Sequence, residues 1–462
     1  MTKSGGIIIK YTALTVILLI ITAVATWTLA PGKERIVKVP VLKGEPVAKL
    51  AESALALSKR LGIEFDIPKT PEGDINATQL LLNLIPLIDK ASEIIPPKIK
   101  AAFIYVGPIG DYGWTHGHDT GRRIVDEKFP WLETVYAESV SEADCYRYIE
   151  RFIKQGCNLI FTTSFGFMDP TLKAAKEYPN IIFFHCSGYK RWKNMGTYFA
   201  EFYQLYYLNG LMAGALTKTG KVGYVGAHPI PEVVRHINAF ALGVKEVNPD
   251  AKVYVRWIFA WYDPVKAKEA AEALIAEGVD VIAFTEDSPT IVGVCQDYFK
   301  KGRPVYTFSH YSPMYKYGPD VVVSGQLVHW EKIYEDIVIK VYLGVYNKTN
   351  LENVDYWWML REGAVELGAE YGMPINPKFE PILKEKYVED PILGKISVYD
   401  LVMIRLKQMS EEVPTFDPFT GPIYDQEGKL RAKPGERLGH YALWTMDWFV
   451  DNIVGTIPKP GG

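Results

Sequence analysis

The chain is poor in cysteine, with 4 among 462 residues: Cys145, Cys157, Cys186 and Cys295. None forms a CxxC pair, which removes zinc-ribbon and thioredoxin-like readings. Their apolar or helical surroundings (GCNLIF, FFHCSG) predict buried free thiols rather than a disulfide framework. An excess of charge of one sign is also lacking. The 51 Lys and Arg against 54 Asp and Glu leave a formal net charge of −3, which argues against a chain whose main work is gripping nucleic acid. Enzymatic signatures are scarce. There is no HExxH for zinc, no GxSxG elbow for a nucleophilic serine and no Walker A loop. His116 and His118 flank one glycine but have no third ligand nearby in sequence, and His185 lies inside an apolar strand. The two GxxGxxG stretches, Gly107–Gly113 and Gly220–Gly226, read as tight turns rather than nucleotide loops. Nothing brings nucleophile, base and orienter together, so the chain is not expected to be an enzyme.

Long apolar runs are lacking after Gly32, but one precedes it. Tyr11 to Ala30 carries no charge and is long enough to cross a bilayer. Lys3 and Lys10 before it place the N-terminus inside and the remainder outside. A cleavable signal peptide is the rival, with Thr28 and Ala30 small enough for a cleavage site. No cysteine stands near the end of the run, which excludes a lipid-anchored lipoprotein. The favoured expectation is an uncleaved anchor over residues 1–32, a cell-membrane location and an extracytoplasmic body.

That body falls into four parts. Residues 33–97 carry helical periodicity at Val47, Leu50, Ala51, Ala54, Leu57 and Leu61. Asn76 with Gln79 resembles a capping box that opens a second helix through Leu87. This reads as a helical spacer without chemistry. From Lys98 the pattern becomes strand–helix alternation, the mark of a parallel α/β sheet. AAFIYVG (101–107) opens a first lobe over 98–219. KVGYVGA (221–227) opens a second over 220–330, with the join near 215–220. The anchors keep their spacing: Gly107 to Gly156 is 49 residues and Gly226 to Gly278 is 52. Residues 331–462 are expected to cross back over both lobes and to end in a helix over 440–450.

In open α/β sheets ligands bind beyond the carboxyl ends of the strands. Two such lobes would enclose a cleft there. The residues just past the strands are Asp111 to Trp114, Ser164, Phe165 and Ser187 in the first lobe. In the second they are His228, Trp261 to Asp263, Glu286 to Ser288, and Ser309 to Tyr311. Aromatic rings and carboxylates dominate, and Arg and Lys are sparse. A phosphate would want cations or glycine amides. A flat, neutral, nitrogen-rich ligand would want rings above and below and carboxylates accepting from its N–H groups. Trp114 and Trp261 have a core role as their alternative. Asp111 and Asp287 have a helix cap or Asx-turn as theirs. Asp263, before Pro264, reads as an N-cap.

Several motifs together resemble a known family. They are YVGPIGDYGWTHGHDTGRR (105–123), LIFTTSFGFMDPTLKAAKEYP (159–179), IPEVVRHINAFALGVKEVNPDAKV (230–253), WYDPVKAKEAAEALIAEGVDVIAFTEDSP (261–289) and PFTGPIYDQEGKLR (418–431). The resemblance is to the basic membrane protein family of ABC-transporter substrate-binding proteins, the purine-nucleoside-receptor-like group. It covers about 98–455. It implies a periplasmic-binding-protein type I fold, two α/β lobes on a hinge that close on ligand. It also implies capture of purine nucleobases or nucleosides for import, with an ABC transporter permease as partner and no cofactor or metal. By position it implies ligand contacts for Asp111, Trp114, Ser164, Phe165, Trp261, Asp287 and Ser309. The chain departs from the nucleoside-binding relatives in having Ser309-His310-Tyr311 where they are acidic and Val328-His329-Trp330 where they carry lysine. Those positions face the sugar, so a free base such as adenine is favoured over a nucleoside. A ligand-sensing receptor ectodomain of the same fold is the alternative. A nucleoside hydrolase is disfavoured, because Gly110-Asp111-Tyr112 offers no metal-binding acidic cluster.

Overall fold

The structure, a computed structural model, describes residues 45–93 and 98–458. The apolar run 11–30 lies outside them. Among the described residues no helix is long and apolar enough to cross a membrane. The spacer residues form two helices, Glu45–Leu61 and Ala77–Glu93, around a small core of their own that includes Ala51, Ala54, Leu80 and Leu87. Asn76 Oδ1 accepts from Gln79 N at 3.0 Å. Only that half of the capping box forms, because the Gln79 amide turns to Asn83 instead, at 2.9 Å. The helix runs on past Leu87 to Glu93 with Pro86 inside it.

Two sheets follow, with the same topology. The first comprises β1 (Ile99–Ile104), β2 (Leu132–Ala137), β3 (Leu159–Thr162), β4 (Ile182–Cys186) and β5 (Met195–Ala200). The second comprises β6 (Lys221–Gly226), β7 (Lys252–Trp257), β8 (Val281–Thr285), β9 (Tyr306–Tyr311) and β10 (Val322–Val328). β11 (Asp355–Trp358) joins the first beside β5, and β12 (Val365–Leu367) joins the second beside β10. Within these two sheets every pairing is parallel except β10 with β12. The strands β3, β5 and β8 are buried along their whole length, because helices cover both faces, whereas β2 (LETVYA) and β7 (KVYVRW) carry exposed polar residues. The four cysteines are buried and free.

The repeat extends to unusual backbone angles. Two residues past the second strand of each lobe lie Ser139 (φ 54°) and Phe259 (φ 53°). At the end of each fourth strand lie Ser187 (φ 66°) and Tyr311 (φ 59°). Left-handed conformations are uncommon for residues with side chains. Their recurrence at matching positions is a geometric signature of the duplication.

The chain crosses between the sheets three times: after β5, after β10, and between β11 and β12. The first crossing lies at 200–203, upstream of the join expected near 215–220. The reason is a helix without periodicity, Tyr203–Leu216, every residue of which is buried. A helix apolar all round belongs in an interior. It packs on the second-lobe helix Pro231–Val247 so closely that a Cβ on Gly210 would fall 2.1 Å from the Phe240 carbonyl oxygen.

At the crossings Glu201 forms a buried knot. Its carboxylate takes Arg235 Nε at 3.0 Å, Arg235 Nη2 at 2.5 Å and His236 Nε2 at 3.0 Å. Its N–H donates to Trp358 O at 2.8 Å, tying the first crossing to the third. The Arg235 guanidinium lies over Trp357 and Trp444. Burial alone would raise the Glu201 pKa, but Arg235, together with the His236 hydrogen bond, holds it down to about 2. The C-terminal helix stops at Trp444 instead of running through 450. Beyond it the chain is stitched along Pro231–Val247 by amide side chains: Asn238 Nδ2 donates to Trp448 O at 2.8 Å, Val450 N to Asn238 Oδ1 at 3.0 Å and Asn452 Nδ2 to Ala241 O at 2.8 Å. Those bonds replace the carbonyl–amide ladder a longer helix would have made.

Candidate functional site

A narrow cavity of about 20 Å3 lies between the lobes, beyond the carboxyl ends of the strands of both sheets. That is well below the range for small-molecule sites, so the lobes must part to admit a ligand. The first lobe lines it with Val106, Trp114, Ser164, Phe165 and Ser187. The second contributes Glu232, Trp261, Asp287 and Tyr311. No Lys or Arg is among them.

Trp114 opens the helix Trp114–Lys128. Its indole N–H donates to Thr163 O at 2.5 Å, which fixes the ring. Its backbone N–H donates across the cleft to Asp287 Oδ1 at 3.0 Å. Tyr311 approaches from the other lobe, with ring centroids 5.2 Å apart and a 59° tilt. Trp261 follows β7 and rests on His228 at 4.8 Å. Its carbonyl accepts from Asp287 N at 2.7 Å, which steadies the loop after β8. Phe165 and Ser164 stand at the short turn after β3.

Five of the seven residues expected at the site meet here: Trp114, Ser164, Phe165, Trp261 and Asp287. Asp111 and Ser309 do not line the cavity. The Asp111 carboxylate is consumed by the backbone, accepting from Gly113 N at 2.9 Å, His116 N at 2.9 Å and Thr115 N at 3.0 Å. It shapes the entry into the helix that carries Trp114, the cap alternative raised by its position. The Ser309 hydroxyl donates to Ala369 O at 2.9 Å and accepts from Met314 N at 3.0 Å, so both its capacities are used within the second lobe. Asp263 is the N-cap of its helix, accepting from Lys266 N at 3.1 Å. His118 is buried, bonded to the Tyr334 hydroxyl at 2.5 Å and stacked on Trp330 at 4.0 Å.

Glu232, Ser187, Tyr311 and Val106 were not among the seven. Ser187 and Tyr311 stand in the strand-end segments and were within reach of sequence reading. Glu232 was hidden in the first turn of Pro231–Val247, where a carboxylate ordinarily faces water and the helix dipole. Here it is 3% exposed, and the Ser187 hydroxyl of the opposite lobe donates to its Oε2.

The cleft is acidic yet holds its charge reluctantly. Burial, then Asp111, pushes the Asp287 carboxyl well above its ordinary value. Burial likewise raises Glu232, opposed by His236, Ser187 and Arg235. Behind Asp287, His310 is wholly buried, which pushes its pKa well below the usual value. Its Nδ1 lies 3.0 Å from both the Tyr206 hydroxyl and Gln326 Nε2. A lining of this kind repels anions and suits a small neutral ligand with N–H or O–H donors set between aromatic rings.

Two lobes of one topology, joined by three crossings and meeting at such a cavity, define a solute-binding protein that holds a small molecule between its domains. The particular family follows from comparison. Residues 98–400 match the Bmp family, described as ABC transporter substrate-binding protein PnrA-like, and the chain belongs to it, a non-enzymatic binding family. A purine-binding protein of Brucella abortus is 38% identical over 78% of this chain and 95% of its own length. A putative ABC transporter glucose-binding protein of Haloferax volcanii is 39% identical over 78% of this chain and 82% of its own. Among solved structures, an ABC transporter solute-binding protein from Aeropyrum pernix superposes with a TM-score of 0.57 at 18% identity, covering 69% of this chain and 94% of that one. That likeness shows the fold.

Proposed function

We propose that this solute-binding protein captures a purine nucleobase and delivers it to an ABC permease from the outer face of the cell membrane. The observation that carries the reading is the cation-free cavity, with rings from both lobes and the carboxyls of Asp287 and Glu232. Trp114, Phe165 and Trp261 would stack the base, and the two carboxyls would accept from its N–H edges. A free base is favoured over a nucleoside on two grounds. The cavity is small, and of the positions that face the sugar in nucleoside-binding relatives only Tyr311 lines it, a ring where those relatives are acidic. The name of the Brucella relative supports a purine. Tethering by the uncharged run 11–30, behind Lys3 and Lys10, supports an extracytoplasmic body held at the membrane.

Calorimetric titration of the full chain in mild detergent tests this. Carried ligand is first stripped by unfolding and refolding, and adenine, hypoxanthine, adenosine and glucose are then compared. Saturable heat with a base, weaker with the nucleoside and cut at least about tenfold by Trp261→Ala, is expected from loss of a buried stacking anchor. Heat with glucose alone would replace the purine by a hexose, which rings and carboxylates can also hold.

A further inference from the structure

One side chain of the cleft is placed to choose among purines. Glu232 projects from the first turn of Pro231–Val247 into the cavity. It is 3% exposed, so its oxygens have little water to satisfy them. Oε2 is taken by the Ser187 hydroxyl. Among the described residues Oε1 takes no side-chain or backbone donor. Ser187 itself sits in the left-handed region at φ 66°, an energetically unfavourable conformation that persists where surroundings demand it. That conformation places its hydroxyl against a carboxyl of the opposite lobe.

We infer that Glu232 is the specificity-determining residue of the cleft, with two separable jobs. Through Oε2 and Ser187 it latches the lobes together. Through Oε1 it accepts an N–H from the ligand, and so selects aminopurines, which present an exocyclic amine, over oxopurines, which present a carbonyl oxygen at the same ring position. An acceptor facing an acceptor in a dry site leaves both unpaired, the condition under which hydrogen-bonding sites discriminate most strongly. Helix start and carboxylate reinforce each other here, because the helix dipole favours the anion. The inference rests on the purine reading proposed above.

The two jobs are separated by two substitutions in the full chain. Glu232→Gln retains an oxygen for Ser187 and turns the ligand-facing atom from acceptor to donor. Adenine affinity should fall at least about tenfold, and the preference between adenine and hypoxanthine should reverse. Ser187→Ala retains the reader and removes the latch. It should weaken both bases by a similar factor, leave their ratio unchanged and reduce the ligand-induced contraction seen by small-angle X-ray scattering. An unchanged ratio in Glu232→Gln, with wild type binding adenine, overturns the assignment while the purine reading stands. If the Gln variant does not fold, Glu232→Asp serves: it keeps the charge but withdraws the oxygen, and undiminished adenine binding would overturn the assignment. Wild type that binds no purine overturns the proposed function itself, and this inference with it.

Discussion

The two lobes share strand order, spacing and two pairs of left-handed residues, Tyr112 of the first lobe alone being unmatched, yet they bring opposite chemistry to the cleft. The first lobe presents donors and rings: Trp114 N–H, the hydroxyls of Ser164 and Ser187, and Phe165. The second presents both carboxyls, Asp287 and Glu232, with Trp261 and Tyr311. Two bonds at the cavity, Trp114 N to Asp287 and Ser187 to Glu232, run from first-lobe donor to second-lobe acceptor. A duplicated scaffold therefore supplies the geometry, and divergence of a few strand-end residues supplies the polarity that makes closure attractive. The ligand, on this view, completes a contact that the lobes already begin between themselves.

The largest break in that comparison is Asp287→Ala. It removes an acceptor for the first lobe and the proposed ligand contact at once, and affinity should fall by about a hundredfold or more, as for truncation of a buried, hydrogen-bonded group. Stability should move the other way. Burial holds the Asp287 carboxyl far above its ordinary pKa, so ionised Asp287 weakens the fold at neutral pH, and the variant should melt no lower than wild type. Titration calorimetry and thermal scans check the two signs. A smaller break needs no charge. A Cβ on Gly113 would lie 2.7 Å from both Cα and Oδ1 of Asp287 in the other lobe. Backbone cannot yield as a flexible side chain can. Gly113→Ala should hold the lobes apart, weaken binding about tenfold and leave the liganded protein with a larger radius of gyration, while each lobe melts as before.

The halves of the site differed in how much the sequence disclosed. Strand ends announce themselves through apolar runs that stop at glycine or a polar residue, so Trp114, Phe165, Trp261 and Asp287 are legible from sequence alone. Asp111 and Asp287 looked alike as acidic residues in loops after strands. Only three dimensions show that backbone N–H groups claim one and the cleft claims the other. Glu232 was missed because a first-turn glutamate is normally a helix-start feature. The helix Tyr203–Leu216 was missed because burial on all sides erases the period that reveals a helix. The fold's repeat was legible in glycine spacing, whereas the crossings were not. They depend on short segments such as β11 and β12, whose identity comes from the sheets they join.

The hinge and the cleft differ in their electrostatics. In the cleft, burial pushes carboxyls up and disfavours charge. At the second crossing the opposite occurs. His329 lies between β10 and the helix Trp330–Tyr342, with Nδ1 2.9 Å from Glu331 and Nε2 2.8 Å from Glu366 on β12. The Tyr371 ring is 5.0 Å away. Hydrogen bonds to the two carboxylates raise its pKa from 6.5 to about 9. A cation preferred by the folded state stabilises it fully below the unfolded value of 6.5, and the benefit is lost as pH rises through 9. With a quarter of the side chain exposed, solvent screening reduces this to about 1–2 kcal/mol. Denaturant midpoints should therefore decline between pH 6.5 and 9 in wild type and less steeply in His329→Gln. Adenine affinity at pH 6.5 should stay within about twofold in that variant, since His329 does not line the cavity. An equal slope in both proteins would mean that the pairs at this crossing contribute nothing to the fold. A large loss of affinity in the variant would mean that the hinge and the cleft are one cooperative unit rather than two regions with opposite electrostatics.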